Sequence, residues 1–317
     1  MKYRRLGGAG IKVSEVSLGG WLTFGAQIDE AAVRAVVRAA VDAGVNFVDL
    51  ADVYARGEAE RVFGLALAEQ RRQDLVISSK AFWPMGEGPN DRGLSRKHLF
   101  ESVEGSLRRL GTDYLDLYFC HRHDPETPVD EVVMAMDDLV RQGKVLYWGT
   151  SVWTAAQITE ARACADRLLA HPPRVEQPRY NLLDRHIEPE ILPTCQAKGI
   201  GLVVWSPLGQ GLLTGKYNAG IPEGSRADQI EWVRKGIKEA DLATVARLGE
   251  LAAELEIDLA QLALAWCLRL PALSSVITGA SRPEHITRNA AASDIALDAG
   301  TLDRIEAILD NAPVAED

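Results

Sequence analysis

The sequence predicts a closed (β/α)8 barrel of the TIM type, with an N-terminal β-hairpin plug and additional C-terminal helices. Three observations lead there. Short apolar runs alternate with longer amphipathic stretches, eight times in all, along a chain of 317 residues. The runs are continuously apolar, as in parallel strands covered on the outside by helices. Eight strand-then-helix units fill about the length that a closed barrel needs. An open doubly wound sheet is the competing arrangement, but no Gly-x-Gly-x-x-Gly follows the first strand. With no low-complexity linker in between, the expected organisation is one barrel domain over residues 1–317.

Each element has a local reason. Tyr3–Val13, centred on Gly7-Gly8-Ala9-Gly10, reads as the hairpin that closes the lower end of the barrel. Val16–Gly20 is the first barrel strand, and Asp29 caps a helix whose apolar face is Val33, Val36, Val37 and Ala40. Strand Phe47–Asp49 precedes helix Glu58–Ala68, and strand Leu75–Ser79 precedes helix Ser95–Leu110, with Ser95 as N-cap. Leu115–Cys120, Val145–Thr150 and Arg174–Gln177 are the next strands, followed by helices Val129–Gln142, Thr154–His171 and Glu188–Lys198. Gly201–Trp205 is followed by an irregular stretch and then by helices Asp241–Leu255 and Asp258–Leu270. Ser275–Thr278 is the last strand, with helices Pro283–Ala291 and Gly300–Leu309 after it.

Four polar residues stand at or just beyond strand ends: Asp49, Tyr54, Lys80 and His121. In a barrel of parallel strands these carboxyl ends share one mouth, where chemistry is placed. Taken singly, each has a plainer role. Asp49 can cap a turn, Tyr54 can be a half-buried aromatic, Lys80 a solvated charge, and His121 part of the polar run His121-Arg122-His123-Asp124. Taken together on consecutive strands they suit acid catalysis at a carbonyl. A lysine ammonium beside a phenol lowers its pKa from about 10. Asp49 would hold the lysine, and His121 would meet the same substrate oxygen. The residues hold no evident nucleophile or metal-binding cluster, so a hydride-donating cofactor is the natural partner.

Composition narrows the partners. A net charge of −10 argues against nucleic acid and anionic membranes. No stretch is long and apolar enough to span a bilayer, and the start, Met-Lys-Tyr-Arg-Arg, lacks a signal-peptide core. A cytoplasmic protein is therefore expected. Cys120, Cys164, Cys195 and Cys267 lack metal or redox spacing and read as buried thiols.

Tyr147-Trp148-Gly149-Thr150-Ser151, Trp205-Ser206-Pro207-Leu208, Gly215-Lys216-Tyr217 and Gly279-Ala280-Ser281 with Asn289, added to the four strand-end residues, resemble the aldo-keto reductases over nearly the whole chain. Within that family the resemblance is to the potassium-channel β-subunit branch and its bacterial relatives. It implies an NAD(P)H-dependent oxidoreductase with Asp49, Tyr54, Lys80 and His121 as the catalytic tetrad.

For the cofactor, the resemblance implies contacts from Gly20, Trp21, Asp49, Ser151 and Gln177 at the nicotinamide, with Trp205 stacked on its ring. Ser206, Pro207, Leu208, Gly209, Gly211, Lys216 and Arg226 would wrap the pyrophosphate. Gly279, Ser281, His285, Arg288 and Asn289 would meet the adenosine end, near the helix start at Pro283. Lys216, Arg226, Arg282 and Arg288 favour NADP(H), with NAD(H) as the alternative. Trp21, Trp83 and Trp153, with Phe24 and Phe82, form the expected apolar substrate wall.

Two positions depart from the channel-subunit pattern: Val152 stands where it has arginine, and His121 where it has asparagine. The histidine resembles the active bacterial-type reductases. The expected reaction is reduction of an aldehyde or ketone, with a small carbonyl compound or sugar as substrate. The same site run backwards is an alcohol or sugar dehydrogenase. A slow, cofactor-loaded binding subunit is a second class of function. An N-terminal extension or a large exposed apolar surface would mark it, and this chain starts at the hairpin. A phosphate-binding isomerase is a third, kept open by Glu176 and opposed by Trp205. Relatives are often oligomeric, so a homo-oligomer is the expected assembly.

Overall fold

A computed structural model describes residues 1–314. Strands β1 (Tyr3–Arg5) and β2 (Lys12–Ser14) pair antiparallel. The barrel then runs β3 (Val16–Gly19), α1 (Glu30–Asp42), β4 (Phe47–Asp49), α2 (Glu58–Leu67), β5 (Val76–Ala81), α3 (Arg96–Leu110), β6 (Leu115–Cys120) and α4 (Val129–Arg141). It continues through β7 (Val145–Thr150), α5 (Ala155–Leu168), β8 (Val175–Glu176), α6 (Ile191–Lys198) and β9 (Gly201–Val204). After a 3-10 turn at Gly209–Thr214 come α7 (Arg226–Gln229), α8 (Glu231–Lys235), α9 (Glu239–Glu254) and α10 (Leu259–Leu268). The last barrel strand is β10 (Leu273–Gly279), followed by α11 (Pro283–Ala290) and α12 (Ala299–Leu309). Strands β3 to β9 follow one another in space, and β10 closes the ring between β9 and β3, every neighbour parallel.

The barrel is filled from both ends. Phe47, Val76, Leu117, Phe119, Val175, Val203 and Ile277 pack inside it, and Leu6, Ala9 and Val13 of the hairpin join them from below. The second, larger apolar layer lies between the strands and the helices, so the barrel strands are covered on both faces, apart from the exposed Leu146 of β7. The hairpin plug is held by backbone as well as by apolar contact, since the Gly8 N–H donates to Gly199 O at 2.8 Å.

Caps set several boundaries. Asp29, Ser95 and Thr154 each accept a backbone N–H at the start of their helix, and Thr154 forms a capping box with Gln157. Where boundaries differ from expectation, proline accounts for two cases. Helix α6 starts at Ile191 rather than Glu188, because Pro193 has no N–H and fits only a first turn. Helix α5 ends at Leu168 rather than His171, ahead of Pro172-Pro173, with Leu169 left-handed at φ 52°.

The plug also fixes one glycine. Gly7 has φ +53°, and a Cβ there would sit 2.4 Å from Gly201 N and 2.6 Å from Gly199 O. Gly7→Ala is expected to cost roughly 2 kcal/mol or more from overpacking and left-handed backbone. Gly10→Ala, with nothing within 4 Å of its Cβ, should stay within about 0.5 kcal/mol of the parent. Urea midpoints of the two variants check this, and equal midpoints would contradict it.

Candidate active site

Side chains on a strand alternate between faces, and this places the site. Phe47, Val175 and Val203 point into the barrel, so the residues two further along, Asp49, Gln177 and Trp205, point inward one layer higher. The same step takes Phe119 to His121 and Ile277 to Gly279. A polar layer therefore caps the apolar one. Asp49 is its hub: Oδ1 accepts from Ser78 Oγ at 2.7 Å and Gln177 Nε2 at 2.8 Å, and Oδ2 accepts from Lys80 Nζ at 2.7 Å.

Lys80 is fully buried, and its ammonium has three N–H donors. All three are used, on Asp49 Oδ2 and Leu50 O at 2.7 Å and on Tyr54 Oη at 3.0 Å. Because the lysine donates to the phenol oxygen, Tyr54's own proton is left for another acceptor. Tyr54 reaches back over Lys80 through a 3-10 turn, Tyr54–Gly57, in which Ala55 and Arg56 are left-handed. The His121 ring stands edge-on to Tyr54, centroids 5.9 Å apart.

The electrostatics correct one expectation. Lys80 was expected to make the phenol more acidic. Instead burial, reinforced by the Asp49 carboxylate, holds Tyr54 well above the ordinary tyrosine value, with Arg122 pulling weakly the other way. Loss of water around the phenolate is the largest cause, and the Asp49 and Asp52 carboxylates add to it. Burial also lowers Lys80 below the usual lysine value, opposed by Asp49. His121 is driven well below the usual histidine range by burial, then by Lys80 and Arg122. Around neutrality the site thus presents a protonated phenol and a neutral imidazole.

A cleft of about 1010 Å³ opens above Lys80 at the carboxyl ends of the strands. Trp21, Trp83, Ser151, Gln177, Trp205, Ser206, Pro207, Leu208, Gly211, Lys216, Arg226, Gly279, Ser281, His285, Arg288 and Asn289 line it, as do Asp49, Tyr54 and His121. Five lining cations, Arg122, Lys216, Arg226, Arg282 and Arg288, face two lining acids, Asp49 and Glu223. In a protein of net charge −10 that makes the cleft a local anion trap. Four of the five cations, Lys216, Arg226, Arg282 and Arg288, come from the segments after β9 and β10. Among the described residues neither Lys216 nor Arg226 has a carboxylate partner; Arg226 Nη1 donates to Gln210 Oε1 at 2.8 Å. Burial and Arg226 hold Lys216 below the usual lysine value, while burial, Arg282, Arg288 and Lys216 hold His285 below the histidine value. Gly211, at φ +95°, lets Lys216 fold over it, since a Cβ would lie 2.7 Å from Lys216 Cε.

Some expected site residues sit elsewhere. Trp153 is buried and does not line the cleft; its ring packs edge-on against His123 at 4.9 Å. Val152, just before it, is left-handed with φ 58°. Phe24 is likewise core, stacked on Phe63, and Phe82 packs against the core beneath Trp83. Gly20 and Gly209 also lie off the lining: Gly20 passes its N–H to Asp49 O at 2.9 Å, and Gly209 opens the 3-10 turn. Lys80 lies beneath the lining, behind Tyr54. Ser151 and Gln177 have partners within the protein, Ser151 Oγ donating to Gln177 O at 2.9 Å.

Other residues that shape the cleft were not singled out in the sequence. Gln27 and Gln210 line it, and Asn181 Nδ2 donates to Ser206 O at 3.1 Å, fixing the left-handed Ser206. Of the three, only Gln210, between Gly209 and Gly211, adjoins residues expected in the site. Arg122 was visible, as part of the polar run after His121, but was not given a role.

A parallel eight-stranded barrel with an Asp-Lys-Tyr-His constellation at its carboxyl end defines a class of barrel oxidoreductase. The Aldo/keto reductase family model matches residues 15–310. The chain is 47% identical to a probable voltage-gated potassium channel subunit beta of Oryza sativa subsp. japonica and 48% identical to one of Arabidopsis thaliana, covering 99% of this chain and 98% of each relative. It is 42% identical to a putative voltage-gated potassium channel subunit beta of Schizosaccharomyces pombe, covering 98% of this chain and 94% of that protein. The chain belongs to the Aldo/keto reductase family, and is an NAD(P)H-dependent oxidoreductase of a family that acts on small-molecule carbonyls. Among the described residues no helix is long and apolar enough to cross a membrane.

The depressed His121 gives a pH prediction. Its folded pKa lies below the unfolded value of about 6.5, so the unfolded chain takes up a proton that the folded one refuses. That contribution leaves stability intact above the unfolded pKa and lowers it as pH falls through it. His121→Asn should therefore lose less stability than the parent between about pH 7.5 and 5. Urea unfolding at the two pH values checks this; parallel losses would contradict it.

Proposed function

We propose that this protein is an NADPH-dependent reductase of aldehydes or ketones, built as one barrel domain over residues 1–317 and working in the cytosol as a homo-oligomer. The observation that carries the reading is the three-acceptor cage around the Lys80 ammonium, with Tyr54 as its third member. Bound NADPH supplies a hydride to the carbonyl carbon. Tyr54 Oη–H gives its proton to the carbonyl oxygen, and the phenolate left behind is held by the hydrogen bond from Lys80 Nζ. Lys80 therefore acts on the charge as it develops, which the raised pKa of the resting phenol does not oppose. Asp49 anchors Lys80, and neutral His121 orients the substrate oxygen.

For the cofactor, Ser151 and Gln177 would hold the carboxamide and Trp205 the ring, with Trp21 edge-on to Trp205 at 5.9 Å. Gly20 and Gly209 would shape the backbone around it. Ser206, Pro207, Leu208, Gly211, Lys216 and Arg226 would hold the pyrophosphate, and Gly279, Ser281, His285, Arg288 and Asn289 the adenosine end. The cationic lining supports NADP(H) over NAD(H), although Arg288 lies 3.6 Å from Asp258. The same site run backwards would oxidise an alcohol or sugar, with Tyr54 Oη taking the hydroxyl proton.

A second reading, a cofactor-loaded subunit docked on a membrane channel, draws on the names of the relatives. His121, in place of the asparagine of the channel-subunit pattern, supports turnover instead.

Tyr54→Phe should lower carbonyl reduction by about 10²–10⁴-fold, with NADPH affinity within about threefold of the parent. Lys80→Met should also cripple reduction, and a parent-like rate in either variant would count against the assignment. Titration of protein fluorescence should give NADPH binding about tenfold or more tighter than NADH. Equal affinities would contradict the NADP assignment.

A further inference from the structure

The rim beside Tyr54 carries a cation that the reduction chemistry does not use. Arg122 lines the cleft directly after His121, and its guanidinium lies 5.6 Å from the centroid of the half-exposed Trp83 ring. The Trp83 and His121 rings are 6.3 Å apart, so Arg122, Trp83, His121 and Tyr54 bound one small space. Of its five N–H donors, Arg122 gives one to His121 O at 2.5 Å. Among the described residues no carboxylate pairs with it.

The carboxylates on neighbouring strands and turns are committed elsewhere. Asp49 is held by Lys80, Ser78 and Gln177. Asp124 is held by Leu94 N, Glu126 N and the Thr127 hydroxyl. Glu176 is held by the Thr150 hydroxyl and Val152 N. Glu176 feels the Arg122 charge but lies outside ion-pair distance, so a guanidinium half removed from water, with donors to spare, is a ready fork for a carboxylate. The cations at the phosphate end lie on the β9 and β10 loops, so this one is separate from them.

We propose that Arg122 is the anion-binding residue of the substrate mouth, and that the preferred substrates are carbonyl compounds carrying a carboxylate, with Trp83 covering their carbon skeleton. This rests on the reductase reading. The hydride reduces the carbonyl carbon, the C=O π pair takes the Tyr54 proton to give the alcohol, NADPH becomes NADP⁺, and the carboxylate stays bound to Arg122, unchanged.

The test compares 4-carboxybenzaldehyde with its methyl ester, which keeps the shape and removes the charge. In the parent, kcat/KM should favour the carboxylate by about tenfold to a hundredfold, mostly through KM. Arg122→Met should collapse that preference to about threefold or less, and Arg122→Lys should restore part of it. Binding of the product, 4-carboxybenzyl alcohol, to the full chain without NADP⁺, so that it cannot be oxidised, should weaken about tenfold in Arg122→Met when read by calorimetry. A parent that treats acid and ester alike, or an Arg122→Met variant that keeps the preference, overturns the inference. If no variant reduces either aldehyde yet Arg122→Met still loses the binding, the anion site stands and the reductase reading falls.

Discussion

The buried contact between the Lys80 ammonium and the Asp49 carboxylate, 2.7 Å long, is the constraint around which the site is arranged. Such a pair is a poor source of stability, because both charges leave water to form it. Its geometry is nonetheless fully specified. Three acceptors saturate the ammonium, and three donors reach Asp49, one of them Gln177 from the far side of the barrel. Tyr54 lines the cleft as the third acceptor of the ammonium, and it inherits a fixed position and a fixed direction for its proton. The barrel supports this from below: the hairpin and the interior apolar layer leave no space for the polar layer to sink.

Charge is distributed on two scales. The surface as a whole is acidic, while the cleft lining is cationic. Lys216 and Arg226 at one end and Arg122 at the other lack carboxylate partners among the described residues. Unpaired cations in a partly desolvated cleft are costly unless a ligand compensates them. Lys216 and Arg226 follow β9 and Arg122 follows β6, so the unpaired charge enters the mouth from two different sides of the barrel.

Much of this was legible in the sequence because strand geometry is regular. A polar residue two positions after an interior apolar one must point into the mouth, as Asp49 does after Phe47 and His121 after Phe119, and Lys80 stands two such steps beyond Val76. The fold was legible for the same reason, since eight apolar runs at barrel spacing leave few alternatives. What failed depended on single backbone angles or on net electrostatics. Trp153 follows a valine whose left-handed conformation nothing in the residue type announces. The direction of the Tyr54 shift is a contest between burial and neighbouring charges, and only coordinates give the burial. Helices α7 and α8 share Ile230 as a boundary and are too short to show periodicity. Arg122 sat in a run that reads as ordinary surface polarity.

The most direct measurement is a crystal structure of the ternary complex with NADP⁺ and an unreactive carbonyl analogue. The account predicts the carbonyl oxygen at about 3 Å from Tyr54 Oη, within reach of His121, with the carbonyl carbon facing the hydride-carrying ring carbon of a nicotinamide stacked on Trp205. A carbonyl oxygen held by other groups, with Tyr54 Oη turned away from it, would contradict the account.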